Sequence, residues 1–552
     1  MSELLVRTDP LGGSPLARAA MDGALPAWYP GMPTSAASWR VRADEVRQTA
    51  SRNWTEALGD ALGATGAAAE RLRRVADARG IVVTTGQQPG LFGGPVYTWS
   101  KALSALALAD EIEFATGIPC APLFWAANDD ADFAEASWTA IAVTGGAERL
   151  TVAAGAAIGR PMAEMPLGDV TPQLEALAGA CGATLDQRAL DATRFAYHAG
   201  ATVGGAYLSL LRTLFEPLGI AVLDAAHPQV AAATRPILLR ALDRADSVAA
   251  ALRDRDGAIR EAGYTPQVAE VAGLSLVFER TGGGGDKRRV PVAEAAAVMA
   301  DSDSANRVLS PNVLLRPVVE RAILPTAAYV AGPGEFAYFA QVSAVAPAMS
   351  LAAPLAVPRW STTIIEPHIA RILDRLGIDE PELAEPHAAE GRLARESVSP
   401  ALTGALADLR ASLTSGAAAT AVALADADLS LPAAVVDGAH RSIAHRLERL
   451  ERRIVAAVKR RDAETMAQIG TARGALFPLG TRQERALNFI PFLARHGSVV
   501  IDRMLAAART HARSVLAVDR MTGEHPARAA IPAASAPSVG GDHAETTRAA
   551  DA

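Results

Sequence analysis

One stretch constrains this chain more than any other: a β-branched run that ends in a glycine-rich bend, then a helix, then a second apolar run. Residues 81–85 read IVVTT and lead into GQQPGLFGG. Residues 99–115 carry a helical pattern, and 122–127 (PLFWAA) form the second run, closed by Asn128-Asp129-Asp130-Ala131-Asp132. Strand, helix and strand in close succession make a βαβ unit. The fold class expected is therefore α/β, with a parallel sheet and ligands at the carboxyl ends of its strands. Further strands are expected at 220–223, 327–331 and 355–357, and an antiparallel hairpin over 274–292 with GGGGDK at its tip. A helical stretch is expected over 42–78, weakened in its middle by Gly59, Gly63 and Gly66.

After about residue 380 the pattern changes. Leu402, Leu406, Leu409 and Leu413 recur at spacings of four and three, and Ile443, Leu447, Leu450 and Ile454 do the same. That spacing places one narrow apolar seam on each helix, which suits a coiled coil or an amphipathic pair packed on the main domain. Pro432 suits the first turn of the second helix. The expected organisation is a core over 1–382, completed by helices over 471–520. An antiparallel helical arm covers 383–470, and a disordered Ala/Pro/Ser/Gly-rich tail covers 521–552.

Composition narrows the function. The chain has 552 residues, enough for several domains, and 50% hydrophobic residues, enough for a large core. A net charge of -7 argues against a nucleic-acid partner. The longest apolar candidate, 342–357, is broken by Pro347 and Pro354, so no membrane helix is expected. The two cysteines, Cys120 and Cys181, fit neither a disulfide framework nor a CxxC zinc site. With no signal-peptide pattern at the start, they fit a reducing cytoplasm. Only three lysines occur, Lys101, Lys287 and Lys459, among 53 basic residues, so each retained lysine raises a chemical question.

Three segments could carry chemistry. In GQQPGLFGGPVYTWSK, Gly86, Gly90, Gly93 and Gly94 would let the backbone approach a ligand, and the following helix would favour an anion. Lys101 closes that segment, either to reach the anion or as a surface residue. In NDDAD, Asp129, Asp130 and Asp132 repel one another unless an ammonium or Mg²⁺ binds; alternatively one of them caps the next helix. In GPGEFAYF, Glu335 and Tyr338 are site candidates, and the match of Gly332, Gly334 and Ala337 to GxGxxA is weak because no acidic residue follows about 20 positions on. Asn312 and Arg316 upstream and Arg359 downstream are further candidates; either arginine could hold a carboxylate or phosphate, or form a structural ion pair. No HExxH motif or tight histidine cluster suggests a metal centre.

Together, GQQPGLFGGPVYTWSKALSA, PLFWAANDDADF, SPNVLLRPVVERAILPTAAYVAGPGEFAYF, VPRWSTTIIEPHI and TRQERALNFIPFLARHG resemble the cysteine-adding enzymes (cysteine ligases) of bacillithiol biosynthesis. The resemblance runs in the same order from about residue 80 to about 515. It implies a Rossmann-like core with inserted connecting segments, a coiled-coil arm that makes a homodimer, and ligation of cysteine to the amine of glucosaminyl-malate. Activation of the carboxyl implies ATP, with Mg²⁺ as an option. For that chemistry the expected catalytic residues are Asp129, Asp130 and Asp132, to hold an ammonium or Mg²⁺, and Lys101, to hold the anionic part. Gln87, Gln88, Tyr97, Asn128, Asn312, Arg316, Glu335, Tyr338 and Arg359 would bind substrate or nucleotide, together with the glycines at 86, 90, 93, 94, 332 and 334. One departure stands out: Ala131 occupies a position where the family usually carries His. A divergent member, working as a dimeric coiled-coil interaction protein, is the alternative reading.

Overall fold

The computed structural model describes residues 3–153, 159–281, 287–301, 307–427 and 432–516. The tail expected over 521–552 and most of the glycine tip at 282–286 lie outside the described residues.

The core is a five-stranded parallel sheet. Its strands are β1 (Ile81–Gln87), β2 (Cys120–Ala126), β3 (Ala221–Asp224), β4 (Thr326–Ala331) and β5 (Ala356–Pro358), in the spatial order β5-β4-β1-β2-β3. β1 and β2 are buried nearly throughout, as near-continuous apolar runs in a parallel sheet must be. Between them runs α1 (Val96–Thr116), packed on both strands and on the C-terminal helix Ser498–Leu516. Burial on almost every face explains why α1 lacks a polar stripe. Trp99 anchors it, with its ring 4.9 Å from Phe215 and 4.4 Å from Phe489. Gly117, at φ +72, ends it in a left-handed cap whose N–H donates to the Glu113 carbonyl.

The intervals between the core strands carry small sheets. Trp138–Val143 pairs with Gly146–Thr151, and Leu274–Thr281 pairs with Arg288–Pro291 as expected. The hairpin gains an unforeseen third strand, Arg307–Pro311. The helix expected over 42–78 is three separate helices, Ala36–Thr49, Trp54–Leu58 and Gly66–Asp77. Gly59, Gly63 and Gly66 break it by adopting positive φ (+37, +48 and +47), a region that favours glycine.

The arm is formed by α3 (Pro400–Asp426) and α4 (Ala433–Arg461), with Pro432 at the N-cap of α4. Arg410 of α3 reaches Glu451 of α4 at 2.6 Å. Leu447 is buried against the pair, but Leu402, Leu409, Ile443 and Leu450 stay 38–46% exposed. Among the described residues no helix is long and apolar enough to cross a membrane.

Candidate functional site

From β1 the chain builds β2 and β3 on one side, then returns to place β4 on the other. The crevice between β1 and β4 is therefore the topological switch point, where open parallel sheets take their ligands. A cavity of about 450 Å³ opens there. Its walls come from the exits of four core strands: Gly86, Gln87 and Gln88 after β1, Asp129 and Asp130 after β2, Ala225 and Ala226 after β3, and Gly332, Gly334 and Glu335 after β4. Tyr97, Lys101, Asn312, Arg316, Tyr338 and Arg359 also line it.

Lys101 is buried in the second turn of α1 and spans the crevice. Its ammonium lies 2.6 Å from Glu335 Oε2 and donates to the Gly86 carbonyl at 2.8 Å and to Gln87 Oε1 at 3.0 Å. Three acceptors engage the three ammonium protons. Glu335 also accepts from the Tyr329 hydroxyl (2.6 Å) and from the Gly332 N–H (2.7 Å). Burial alone would raise Glu335, but Lys101 and these hydrogen bonds hold it below the usual carboxylate range. Burial pulls Lys101 down, and Glu335 opposes that pull. Lys101 thus ties the two loops together rather than presenting a free cation.

The arginines are paired as well. Arg316 donates to Glu320 (3.2 Å) and to the Tyr329 hydroxyl (3.0 Å), above whose ring it lies at 5.3 Å. Burial pushes Glu320 up to about 7 although Arg316 and Thr84 oppose it. Arg359 makes a buried two-pronged pair with Glu484, at 2.6 and 2.8 Å. Asn312 accepts from the N–H groups of Leu314 and Leu315 and so shapes the turn behind the wall.

The acidic exit of β2 divides. Asp129 lines the cavity and, among the described residues, its carboxylate makes no hydrogen bond or ion pair with another side chain; burial raises it above the ordinary range, although the charge of Lys287 and its own backbone N–H oppose that. Asp130 lines the cavity too and accepts from Gln88 and from the Ala131 N–H. Asp132 stands outside the lining and caps the helix Phe133–Ala136 through the Ala134 N–H at 3.1 Å. Asn128 is also outside it: buried, it bonds Asp224 at 2.8 Å and the Ala226 N–H at 3.1 Å, strapping the exits of β2 and β3. The three acids do not converge, and among the described residues no group of three or more His, Cys, Asp or Glu is placed to hold a metal ion.

The family description "Bacillithiol biosynthesis BshC, N-terminal Rossmann-like domain" matches residues 22–281 and 287–360, and "Bacillithiol biosynthesis BshC, C-terminal coiled-coil domain" matches 362–516. The chain belongs to the BshC family. Relatives named "Putative cysteine ligase BshC" include those of Solibacter usitatus (32% identical, covering 77% of this chain and 82% of that one) and Koribacter versatilis (33%, covering 82% and 86%). A third, from Salinibacter ruber, is 31% identical, with 79% and 82% covered.

In this BshC-family chain the glycine bend is not part of the cavity wall. Gly90, Gly93 and Gly94 lie outside the lining, against the expectation that their backbone meets the ligand. A Cβ on Gly90 would sit 2.6 Å from Gly94 Cα, so the bend closes on itself. Tyr197 donates to the Gly90 carbonyl and accepts from the Gly93 N–H, and Asn488 donates to the carbonyls of Leu91, Phe92 and Gly94. Open backbone donors within the cavity stand at the start of α2 (Pro333–Ala348). The N–H groups of Gly334 and Glu335 have no acceptor among the described residues, and a Cβ on Gly334 would meet open space. An anion fits that helix terminus at the switch point.

Several wall residues escaped the reading of the sequence. Lys287 lines the cavity with its ammonium 5.0 Å from the Phe278 ring centroid, and Arg280 is there paired with Glu164 at 2.6 Å. Two of the three lysines therefore face this cavity, and lysine scarcity was the signal that could have found Lys287. Arg485 and Glu135 also line it. Burial, then Asp132 and Asp130, raise Glu135 above its ordinary value. Arg485 lies in TRQERALNFIPFLARHG, which carried the resemblance but was given no site role.

Proposed function

We propose that this protein joins the carboxyl group of cysteine to the amine of glucosaminyl-malate, the last step in making bacillithiol. Family membership supports the reaction class. The observation that carries the chemistry is that the Asp129 carboxylate, without a salt bridge among the described residues, and the open N–H groups of Gly334 and Glu335 share one cavity.

Amide formation has two demands. The acceptor amine is an ammonium near neutral pH and must lose a proton before it attacks. Asp129 can take that proton on a carboxylate oxygen, and its raised pKa makes it a stronger base than an ordinary aspartate. Asp130, held by Gln88, keeps the ammonium end of the substrate beside it. The second demand is activation of the cysteine carboxyl, whose oxygen is a poor leaving group. ATP, when bound, supplies that leaving group, and the Gly334 and Glu335 N–H groups would hold its phosphate. The nitrogen then forms the C–N bond as the activated C–O bond breaks. Ala131 leaves no imidazole at this position, so the proposed proton transfer uses Asp129 alone.

We also propose a homodimer built through the arm. The exposed Leu402, Leu409, Ile443 and Leu450 sit at seam spacings that the α3–α4 pair leaves uncovered. Both cysteines are unpaired and buried, which suits a cytoplasmic setting.

Purified protein given cysteine, glucosaminyl-malate and ATP should yield the amide thiol, read by mass spectrometry. Absence of that product with ATP and with every other nucleoside triphosphate would remove the ligase reading.

A further inference from the structure

Six cations line the cavity, and four cancel against acids of the protein itself: Lys101 with Glu335, Arg280 with Glu164, Arg316 with Glu320 and Arg359 with Glu484. Lys287 rests near the Phe278 ring. Of the six, only the Arg485 side chain makes no hydrogen bond, ion pair or ring contact among the described residues, although it sits exposed at the rim within reach of the fields of Glu135 and Tyr97.

Its backbone is fixed far more firmly than an exposed arginine needs. Arg485 belongs to the single turn Gln483–Ala486. On one side, Gln483 is buried and bonds Ile364 through both its N–H and its carbonyl (2.7 and 2.8 Å), and the Ala475 carbonyl at 2.8 Å. Next to it, Glu484 is clamped by both prongs of Arg359 and by Ser361 at 2.9 Å. On the other side Ala486 is 1% exposed. A free guanidinium on a rigid backbone loses less freedom on binding than one on a mobile loop.

We propose that Arg485 is the residue that selects acceptors carrying a carboxylate, by forking onto the malate end of the glucosaminyl-malate substrate, with Arg359 and Glu484 as its positioning residues. This rests on the acceptor assigned above and adds which group reads its acidic end. The planar fork matches a carboxylate with two parallel hydrogen bonds, which a lysine cannot reproduce. Asp129 and Asp130, at the exit of β2, are left to the ammonium. The cavity thus offers uncompensated charge of both signs, as an amino sugar bearing a dicarboxylate requires.

The test is isothermal titration of the full chain and of its Arg485→Ala and Arg485→Lys variants with glucosaminyl-malate and with methyl glucosaminide, which keeps the amine and lacks the carboxylates. Arg485→Ala should weaken glucosaminyl-malate binding by about tenfold or more and leave methyl glucosaminide within about twofold; Arg485→Lys should fall between. Its thermal midpoint should match the parent, because the side chain is exposed and unbonded. An equal loss on both ligands, or no loss on either, overturns the assignment of Arg485 while leaving the acceptor intact. If the unmodified protein binds neither ligand, the acceptor reading fails and this assignment fails with it.

Discussion

Lys101 and Glu335 meet at 2.6 Å across the switch point and join the exit of β1 to the exit of β4. Breaking a buried pair from one side strands a charge and typically costs about 3–5 kcal/mol, whereas replacing both partners can be nearly neutral. Lys101→Met should therefore lower the denaturant midpoint strongly, and Lys101→Met combined with Glu335→Gln should recover much of that loss. Turnover should return in neither variant, because the two loops are no longer held in register. Full activity in the double variant would show that the pair serves stability alone.

The acidic exit of β2 separates into distinct roles, which single substitutions can resolve. Asp129→Asn should lower kcat by about a hundredfold or more with the fold unchanged, since a proton acceptor in the reaction is lost. Asp130→Asn should act mainly on KM, through Gln88 and the ammonium site. Asp132→Ala removes only a helix cap and should leave turnover within about twofold. Steady-state kinetics on the three variants decide among these roles, and equal effects would contradict the division.

Asn488 lies nearly 400 positions from the bend it supports, yet its amide serves three carbonyls there at 3.1–3.3 Å and its oxygen accepts the Ile490 N–H at 2.9 Å. Asn488→Ala leaves these buried groups unpaired and should cost about 2 kcal/mol or more. Urea unfolding measures it; an unchanged midpoint would mean that water replaces the side chain.

Glu366 sets an acid limit. Burial alone would raise it, but His496 at 2.8 Å and Arg495 at 2.7 Å hold it down at about 2, against 4.5 for an ordinary glutamate. A carboxyl depressed on folding stabilises the protein above its unfolded value and stops doing so as pH falls through the folded one. Stability should therefore decline between about pH 4.5 and pH 2, by about 3 kcal/mol from this group. Glu366→Gln should flatten that limb in pH-dependent unfolding, and an identical slope would assign the acid loss to other groups.

The proposed dimer has its own test. Changing Leu402, Leu409, Ile443 and Leu450 together to Gln should convert a dimer to a monomer in light scattering, with little change in far-UV circular dichroism. A parent protein already monomeric at micromolar concentration would end the proposal.

The sequence by itself determined the βαβ core, the strands near 81, 122, 220, 327 and 355, and the heptad spacing of the arm, because each rests on local periodicity that burial imposes directly. It also singled out the segments that surround the cavity, since Gly86, Asp129, Lys101, Glu335 and Arg316 all line it. Only the tertiary structure decided what each of these groups is free to do. Charge and hydrogen bonding depend on neighbours brought from far along the chain: Glu335 neutralises Lys101, Glu484 neutralises Arg359, and Tyr197 and Asn488 hold the carbonyls of the glycine bend, outside the cavity wall. Those partners are set by packing between elements, for which a one-dimensional pattern carries no spacing rule. For the same reason Arg485, which follows Glu484 directly in TRQERALNFIPFLARHG, had no site role in the sequence and becomes visible only after the other cations of the cavity have been matched to their contacts.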